Sequence, residues 1–396
     1  MFLSAQVPET IILSDHKILF EGTDKYLYYF YAIRNDLLVY TKDEGAYKTG
    51  YKIELEITSE DDKSIRRYFK DSVISTDSYT ESISRIIYRE GFIRIPLDFR
   101  KFNVKPIITN TTSLREFRQP GFYYNQDSLK KSFFLVGDIK NINSESIYAQ
   151  LISRGRNIPF VPNSVNFILP FRKYADQKVN VIVESNGKKI EFIPEILKGT
   201  NVRVIQDSSG ILLEGYRDSS NSLLLIKDFN LSLPEGDASI RITLGTDTSF
   251  FKTSARVQWF NKPRSLMDEN LAVKLVELLE TEEKSDSLRK AVRKAKTNAL
   301  FEYWKKHDPT PLTEYNELMA EFYFRADEAN IRFSTLRGGD GALTDRGNIF
   351  VKFGEPEKIE RGTTPEGRMS EIWYYHSPNR VFRFVDRNGA GNYELR

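Results

Sequence analysis

Residues 299–353 read ALFEYWKKHDPTPLTEYNELMAEFYFRADEANIRFSTLRGGDGALTDRGNIFVKF. A helical pattern carrying Trp304 stops at Asp308-Pro309-Thr310-Pro311, because proline lacks the N–H a helix needs and restrains the residue before it. A second pattern starts at once. Thr313 is its expected cap, and Tyr315, Leu318, Met319, Phe322, Ala326, Ala329 and Phe333 form its apolar stripe. Gly338-Gly339-Asp340-Gly341 breaks the pattern, and Thr344-Asp345-Arg346-Gly347 leads into what reads as a strand at 348–353. No other segment sets so many specific polar residues between so many structural stops. The stretch separates β-rich sequence before it from a small sheet after it.

Toward the N-terminus, the period changes at Asn261-Lys262-Pro263. Ser265 with Asp268 resembles a helix cap, Leu271, Leu275, Leu278 and Leu279 follow at helical spacing, and a further helix is expected over 286–306. Before that, residues 50–58 (GYKIELEIT) alternate cleanly: Tyr51, Ile53, Leu55 and Ile57 share one face, and Lys52, Glu54 and Glu56 the other. That is the period of a half-buried antiparallel strand. Strands are also expected at 25–31, 36–40, 64–69, 82–88 and 91–97, with 105–125 (Pro106, Pro120, Gly121) as a connection. A second β series includes the β-branched run 179–183, the Asn186-Gly187 hairpin signal and the turn at Leu233-Pro234-Glu235-Gly236. Toward the C-terminus, strands at 348–353, 371–376, 381–385 and 392–395 form a meander rich in aromatics. The expected fold is multidomain and mainly β. Two tandem antiparallel Ig-like β-sandwiches span 7–137 and 138–262, followed by a helical segment at 263–335. A small antiparallel α+β sheet at 336–396 packs with that segment.

With 396 residues, 40% hydrophobic and 29% charged, the chain is long enough for several globular domains. The net charge of +3 is nearly balanced. The densest basic spots are Lys130-Lys131 and 289–296, and the latter alternates with Ala and Val like a solvated helix face, so no nucleic-acid partner is expected. There is no cysteine, which excludes disulfides, thiolate metal sites and a Cys nucleophile. No apolar run approaches the ~20 residues of a membrane-spanning helix. Residues 1–6 (MFLSAQ) resemble the tail of a secretory signal, which sets up an expectation of export, to the periplasm, the outer membrane or the exterior.

The segment from about 259 to 396 resembles the GWxTD domain family, a bacterial domain with no established activity. The residues that carry the resemblance are Phe301, Trp304, Asp308-Pro309-Thr310-Pro311, Asn316-Glu317, Arg325, Asn330, Phe333, Thr344-Asp345-Arg346-Gly347, Phe353-Gly354-Glu355-Pro356, residues 371–375 with Trp373, and Phe384-Val385-Asp386. One position departs: where the motif has tryptophan this chain has Ala342, so a stacking or core role resting on that indole does not transfer. The resemblance implies export and β-sandwich segments ahead of the domain.

Asp308, Asn316, Glu317, Arg325, Asn330, Asp345 and Arg346 are the functional candidates. A cleft gathering Asp308, Glu317 and Asp345 with an arginine would suit acid–base work, such as hydrolysis of an envelope polymer. The competing reading is that the same groups tie helix ends and turns together, and it is favoured because no nucleophile–base pair is evident. A carbohydrate-binding module using exposed sandwich aromatics is a third reading. Gly338-Gly339-Asp340-Gly341 is set aside as a phosphate loop because it is expected to open a strand and lacks the Lys-Ser/Thr pair. His16, His307 and His376 are not at metal-ligand spacing, and no metal or cofactor is expected. The favoured expectation is a non-enzymatic envelope protein whose C-terminal domain docks on a protein partner or assembly.

Overall fold

A computed structural model describes residues 12–22, 24–61, 63–125, 131–143, 146–152, 155, 157–172, 177–207, 210–295, 298–334, 339–377 and 379–396. The readings placed on residues 1–6, Lys130, Lys296 and Gly338 lie outside these. The chain forms two compact units, Met1–Trp259 and Phe260–Arg396. It is mainly β, with several antiparallel sheets and several helices.

The first unit begins with β1 (Ile12–Glu21), β2 (Asp24–Arg34), β3 (Thr41–Asp43), β4 (Ala46–Ser59) and β5 (Ile65–Thr76). A short helix α1 (Tyr79–Ser82) precedes β6 (Tyr88–Pro96), β7 (Lys101–Asn110), β8 (Glu116–Arg118) and β9 (Phe122–Asn125). The second series is β10 (Phe134–Asn143), β11 (Ser146–Leu151), β12 (Asn157–Pro159), β13 (Asn166–Arg172), β14 (Val179–Ser185) and β15 (Lys188–Phe192). It ends with β16 (Glu195–Asp207), β17 (Gly210–Ile226), β18 (Gly236–Leu244) and β19 (Asp247–Gln258).

These strands make four sheets: β1-β2-β6, a six-stranded sheet around β4 and β7, a five-stranded sheet β11-β10-β13-β17-β16, and a five-stranded sheet β12-β19-β18-β14-β15. The three-stranded sheet lies between two others. Leu27, Tyr29, Tyr31 and Ile33 of β2 join the core with Ile53, Leu55 and Ile57 of β4. From the opposite face of β2, Tyr28 and Phe30 join Phe134, Val136, Ile168, Leu223 and Leu225 of the next sheet. That placement explains the unbroken apolar run of β2: a strand covered on both faces has no polar side to alternate with. β13 behaves likewise. Ile168 faces the three-stranded sheet, whereas Phe167 meets Phe251 of β19, with ring centroids 6.3 Å apart.

Several local expectations are corrected. Residues 35–37 form a 3-10 turn, not a strand, and the strand expected at 82–88 is absent: α1 ends at Ser82, 83–87 are turn, bend and coil, and β6 begins only at Tyr88. The supposed connection at 105–125 contains β7, β8 and β9. Pro106 is tolerated there because β8 pairs with Ile107–Thr109 and β9 with Lys101–Val104, which leaves the proline in the gap where no N–H is required.

The second unit contains α2 (Arg264–Met267), α3 (Glu269–Val276), α4 (Glu282–Ala295), α5 (Asn298–Lys305), α6 (Glu317–Phe333) and α7 (Asp345–Phe353). It closes with the antiparallel meander β20 (Lys358–Thr363), β21 (Met369–Tyr375), β22 (Arg380–Asp386) and β23 (Tyr393–Leu395). The strand expected at 348–353 is therefore wrong: those residues lie in α7, and the first strand of the meander is β20. The apolar cluster Ile349-Phe350-Val351 suggested β, but Thr344 caps a helix. Asp268, not Ser265, caps α3 through bonds from Asn270 N and Leu271 N. The single helix expected over 286–306 is represented by α4 and α5.

Candidate functional site

α6 is the spine of the second unit. Asn316 caps it, not Thr313: its Oδ1 accepts the Met319 N–H at 2.8 Å. Its Nδ2 donates to Trp304 O at 2.8 Å, so one side chain closes α5 and opens α6. Thr313 instead donates to Thr310 O at 3.0 Å within the preceding turn. The stripe Met319, Phe322, Tyr323, Ala326, Ala329 and Phe333 is buried. Trp304 donates to the Tyr323 hydroxyl at 3.3 Å, which donates to Ala272 O at 3.0 Å, linking α5, α6 and α3. Burial pushes the Tyr323 hydroxyl well above its ordinary pKa, which keeps it a neutral donor. Asp327 was not anticipated. It accepts the N–H groups of Arg264 at 2.6 Å and Ser265 at 2.8 Å, and so caps α2 from another helix. A tertiary cap of this kind leaves no local pattern to read.

The carboxylates Asp308 and Glu317 meet at one residue, Thr310. Asp308 Oδ1 accepts Thr310 N at 2.9 Å, and Thr310 Oγ1 donates to Glu317 Oε2 at 2.5 Å. Pro309 is exposed in the turn that follows α5. Asp345, the third candidate, belongs to a different network: its Oδ2 accepts Leu395 N of β23 at 2.7 Å.

The turn at Gly341–Thr344 is defined by close packing. A Cβ at Gly341 would lie 2.4 Å from Ala329 O, and one at Gly347 would lie 1.9 Å from Gly341 O. Only glycine fits at either place. Thr344 Oγ1 donates to Gly341 O at 2.7 Å and accepts Gly347 N at 3.1 Å, which caps α7. Asn330 Oδ1 accepts Ala342 N at 2.9 Å, and Ala342 is completely buried. The position that departs from the motif is thus an interior one, held by its backbone. This turn opens a helix, contrary to expectation. The groups an anion would use are nonetheless engaged, since Thr344 takes the Gly347 N–H and the first helical residue is the anion Asp345.

A polar set joins α6 and α7 to the sheet. Buried Glu371 accepts Trp373 Nε1 and Arg361 Nε, each at 3.1 Å, and Arg346 at 3.4 Å. Arg346 also lies 4.0 Å from the Tyr393 ring centroid. Arg325 pairs with Glu321 at 2.7 Å, and its guanidinium closes over Gly354, whose φ of +78° and lack of a Cβ permit the approach. Tyr375 donates to Gly354 O at 2.9 Å beside buried Pro356. Arg332 pairs with Glu355 and Glu328, and its hydrogen bonding holds the Glu355 carboxyl below the usual range. Buried Asp386 accepts Asn388 N at 3.3 Å and Gly391 N at 2.8 Å, organising the turn that follows β22.

The histidines do not gather. His16 stacks on Phe122, His307 packs on Tyr303 and His376 lies 3.9 Å from Glu357. Among the described residues, no three His, Asp or Glu side chains are placed to hold a metal, and no helix is long and apolar enough to cross a membrane. Among the described residues of the first unit, the exposed aromatics Phe69, Tyr79 and Tyr123 lie on separate elements, β5, α1 and β9.

Residues 244–395, which include the whole helix–sheet unit up to Leu395, match the family model for the GWxTD domain. The chain carries a GWxTD domain at its C-terminal end. No curated protein matches the chain. Among solved structures, the C-terminal domain of the Streptococcus pyogenes antigen I/II-family protein AspA is similar at 8% identity and a TM-score of 0.19. That alignment covers 62% of this chain and 100% of that one, and its score carries no argument.

Proposed function

We propose that this chain is an exported, non-enzymatic structural or interaction protein of the bacterial cell envelope. The stacked sheets act as a spacer, and the GWxTD domain docks on a partner protein or assembly. The observation that carries the reading is the use of the candidate carboxylates. Asp308 and Glu317 are engaged with Thr310, Asp345 with Leu395, and Glu371 with Trp373 and two arginines. Each holds a turn, a helix end or a strand, and the three proposed for hydrolysis belong to two separate networks. Gly341, Thr344 and Gly347 act through backbone packing and capping, which fits a rigid unit that presents a surface.

The test is crosslinking in intact cells of the source organism, followed by fractionation. The full chain is expected in the envelope fraction, within a complex of higher mass that is lost when the chain ends at Trp259. Recovery only in the cytoplasm, or a complex that survives removal of the GWxTD domain, would overturn the reading.

A further inference from the structure

β5 is the outer edge of the six-stranded sheet. It pairs with β4 along its length, and no other strand among the described residues joins its far side. Edge strands are usually short, bulged or covered. This one has 12 residues and exposes a row of apolar side chains: Ile65, Phe69 and Val73 are 60%, 50% and 86% exposed. Tyr68 and Ile74 turn to the core, so the outward face reads Ile65, Arg67, Phe69, Asp71, Val73. Lys52 lies 4.1 Å from the Phe69 ring centroid, and Arg67 is held on the outward face by Glu56 at 2.8 Å, with half its side chain still exposed.

That outward sequence is complementary to its own reverse. We propose that β5 pairs antiparallel with β5 of a second copy of this chain, in a register centred on Phe69, making the two six-stranded sheets continuous. A twofold axis normal to the sheet keeps outward faces together. Phe69 then meets Phe69, Arg67 meets Asp71 twice, and Ile65 meets Val73 twice. On the inner side Tyr68 meets Lys70, whose Nζ is drawn away to Phe92 O at 3.2 Å and Gln206 Oε1 at 3.0 Å. Neighbouring registers fail. Centring on Asp71 sets that carboxylate against itself, and directly opposed like charges destabilise a strand pair; centring on Lys70 or Tyr68 sets Arg67 against Val73 or Phe69 and loses both Arg67–Asp71 matches. Opposite charges matched twice by symmetry select a second copy as the occupant, rather than an unrelated strand.

The experiment uses the full chain, which has no cysteine to interfere. Opposed residues place their Cβ atoms close to disulfide spacing. F69C is expected to crosslink with itself on oxidation. I65C and V73C should do so only when mixed with each other. In sedimentation equilibrium, R67D or D71R should weaken self-association about tenfold to a hundredfold, because each change acts twice. The swap R67D/D71R should restore it. Far-UV circular dichroism checks that each variant is folded, and the cysteine series decides the matter if a charge variant is not. A chain that stays monomeric at about 0.5 mM, a dimer indifferent to both charge changes, or F69C crosslinking no faster than V73C alone would overturn the proposal.

Discussion

Replacing Gly347 by alanine sets two expectations against each other. Gly347 lies in the first turn of α7, where alanine is a better helix former by about 1 kcal/mol. The added Cβ, however, would sit 1.9 Å from Gly341 O and 2.8 Å from Ala342 Cα, both backbone atoms. An ordinary carbon–oxygen contact is nearer ~3.5 Å, so the first turn of α7 must retreat by about 1.5 Å. Overpacking of that kind costs about 1–3 kcal/mol. The retreat also disturbs the Thr344 cap and the Asn330–Ala342 bond, each contributing about 1 kcal/mol. The net expectation is a loss of about 2–4 kcal/mol, or roughly 10 °C in the melting temperature of the C-terminal unit. Two of the three tryptophans, Trp304 and Trp373, are buried in that unit, so urea and thermal unfolding followed by tryptophan fluorescence, in a Trp259→Phe background that silences the first unit, read it directly. Gly362→Ala is the control. Its nearest neighbour would be Ser370 Oγ at 4.0 Å, and it should change stability by less than about 0.5 kcal/mol. An unchanged or raised midpoint for Gly347→Ala would refute the steric argument.

Three further outcomes follow from the same region. Thr344→Ala should cost about 1 kcal/mol by removing the α7 cap, while Thr344→Ser, which keeps the hydroxyl, should recover most of it in the same unfolding assay. Glu371→Gln leaves Arg346 and Arg361 without their shared anion and should cost about 2 kcal/mol, with altered Trp373 emission; wild-type stability would remove Glu371 as the tie between α7 and the sheet. The Arg332–Glu355 pair should be sensitive to acid. Hydrogen bonding from Arg332 places the folded Glu355 value below its unfolded one, so the contribution is fully present above the unfolded value near ~4.3 and is lost as pH falls through the lower folded value. The urea midpoints of the wild type and Glu355→Gln should therefore differ at pH 7 and converge below about pH 4; a constant gap down to pH 2 would exclude the assignment.

Much of this architecture is legible where one face of an element meets water. β4 could be read residue by residue because Tyr51 to Ile57 alternate with Lys52 to Glu56. The α6 stripe is readable for the same reason at Met319, Phe322, Ala326, Ala329 and Phe333, whereas Leu318 is exposed and buried Tyr323 lies outside the expected stripe. The signal weakens where both faces are covered. The apolar run of β2 identifies a strand but not what covers each face, and only the folded chain shows its three-stranded sheet sandwiched between two others. α7 was missed because Ile349, Phe350 and Val351 favour strands by propensity, while the decisive signal was the single hydroxyl of Thr344. Asp327 was invisible because it caps α2 from another helix. The junction residues were found, yet their roles depend on partners distant in sequence: Asp345 on Leu395, Arg346 on Glu371, Asn330 on Ala342.

The signature turn can be understood position by position. Gly341 is required because the carbonyl of Ala329 occupies the space of its Cβ. Thr344 is required because it alone satisfies the Gly347 N–H while also bonding Gly341 O. Asp345 ties the start of α7 to the last strand through Leu395. None of these tasks involves the side chain at position 342, whose held group is its backbone N–H. An alanine there leaves every one of these contacts in place, whereas a Cβ two residues past Asp345, at Gly347, would break the turn. The polar set between α6, α7 and the meander therefore acts by fixing relative positions of backbone. Substitutions in it should register first as lost stability of the whole C-terminal unit, and only through that in whatever the unit binds.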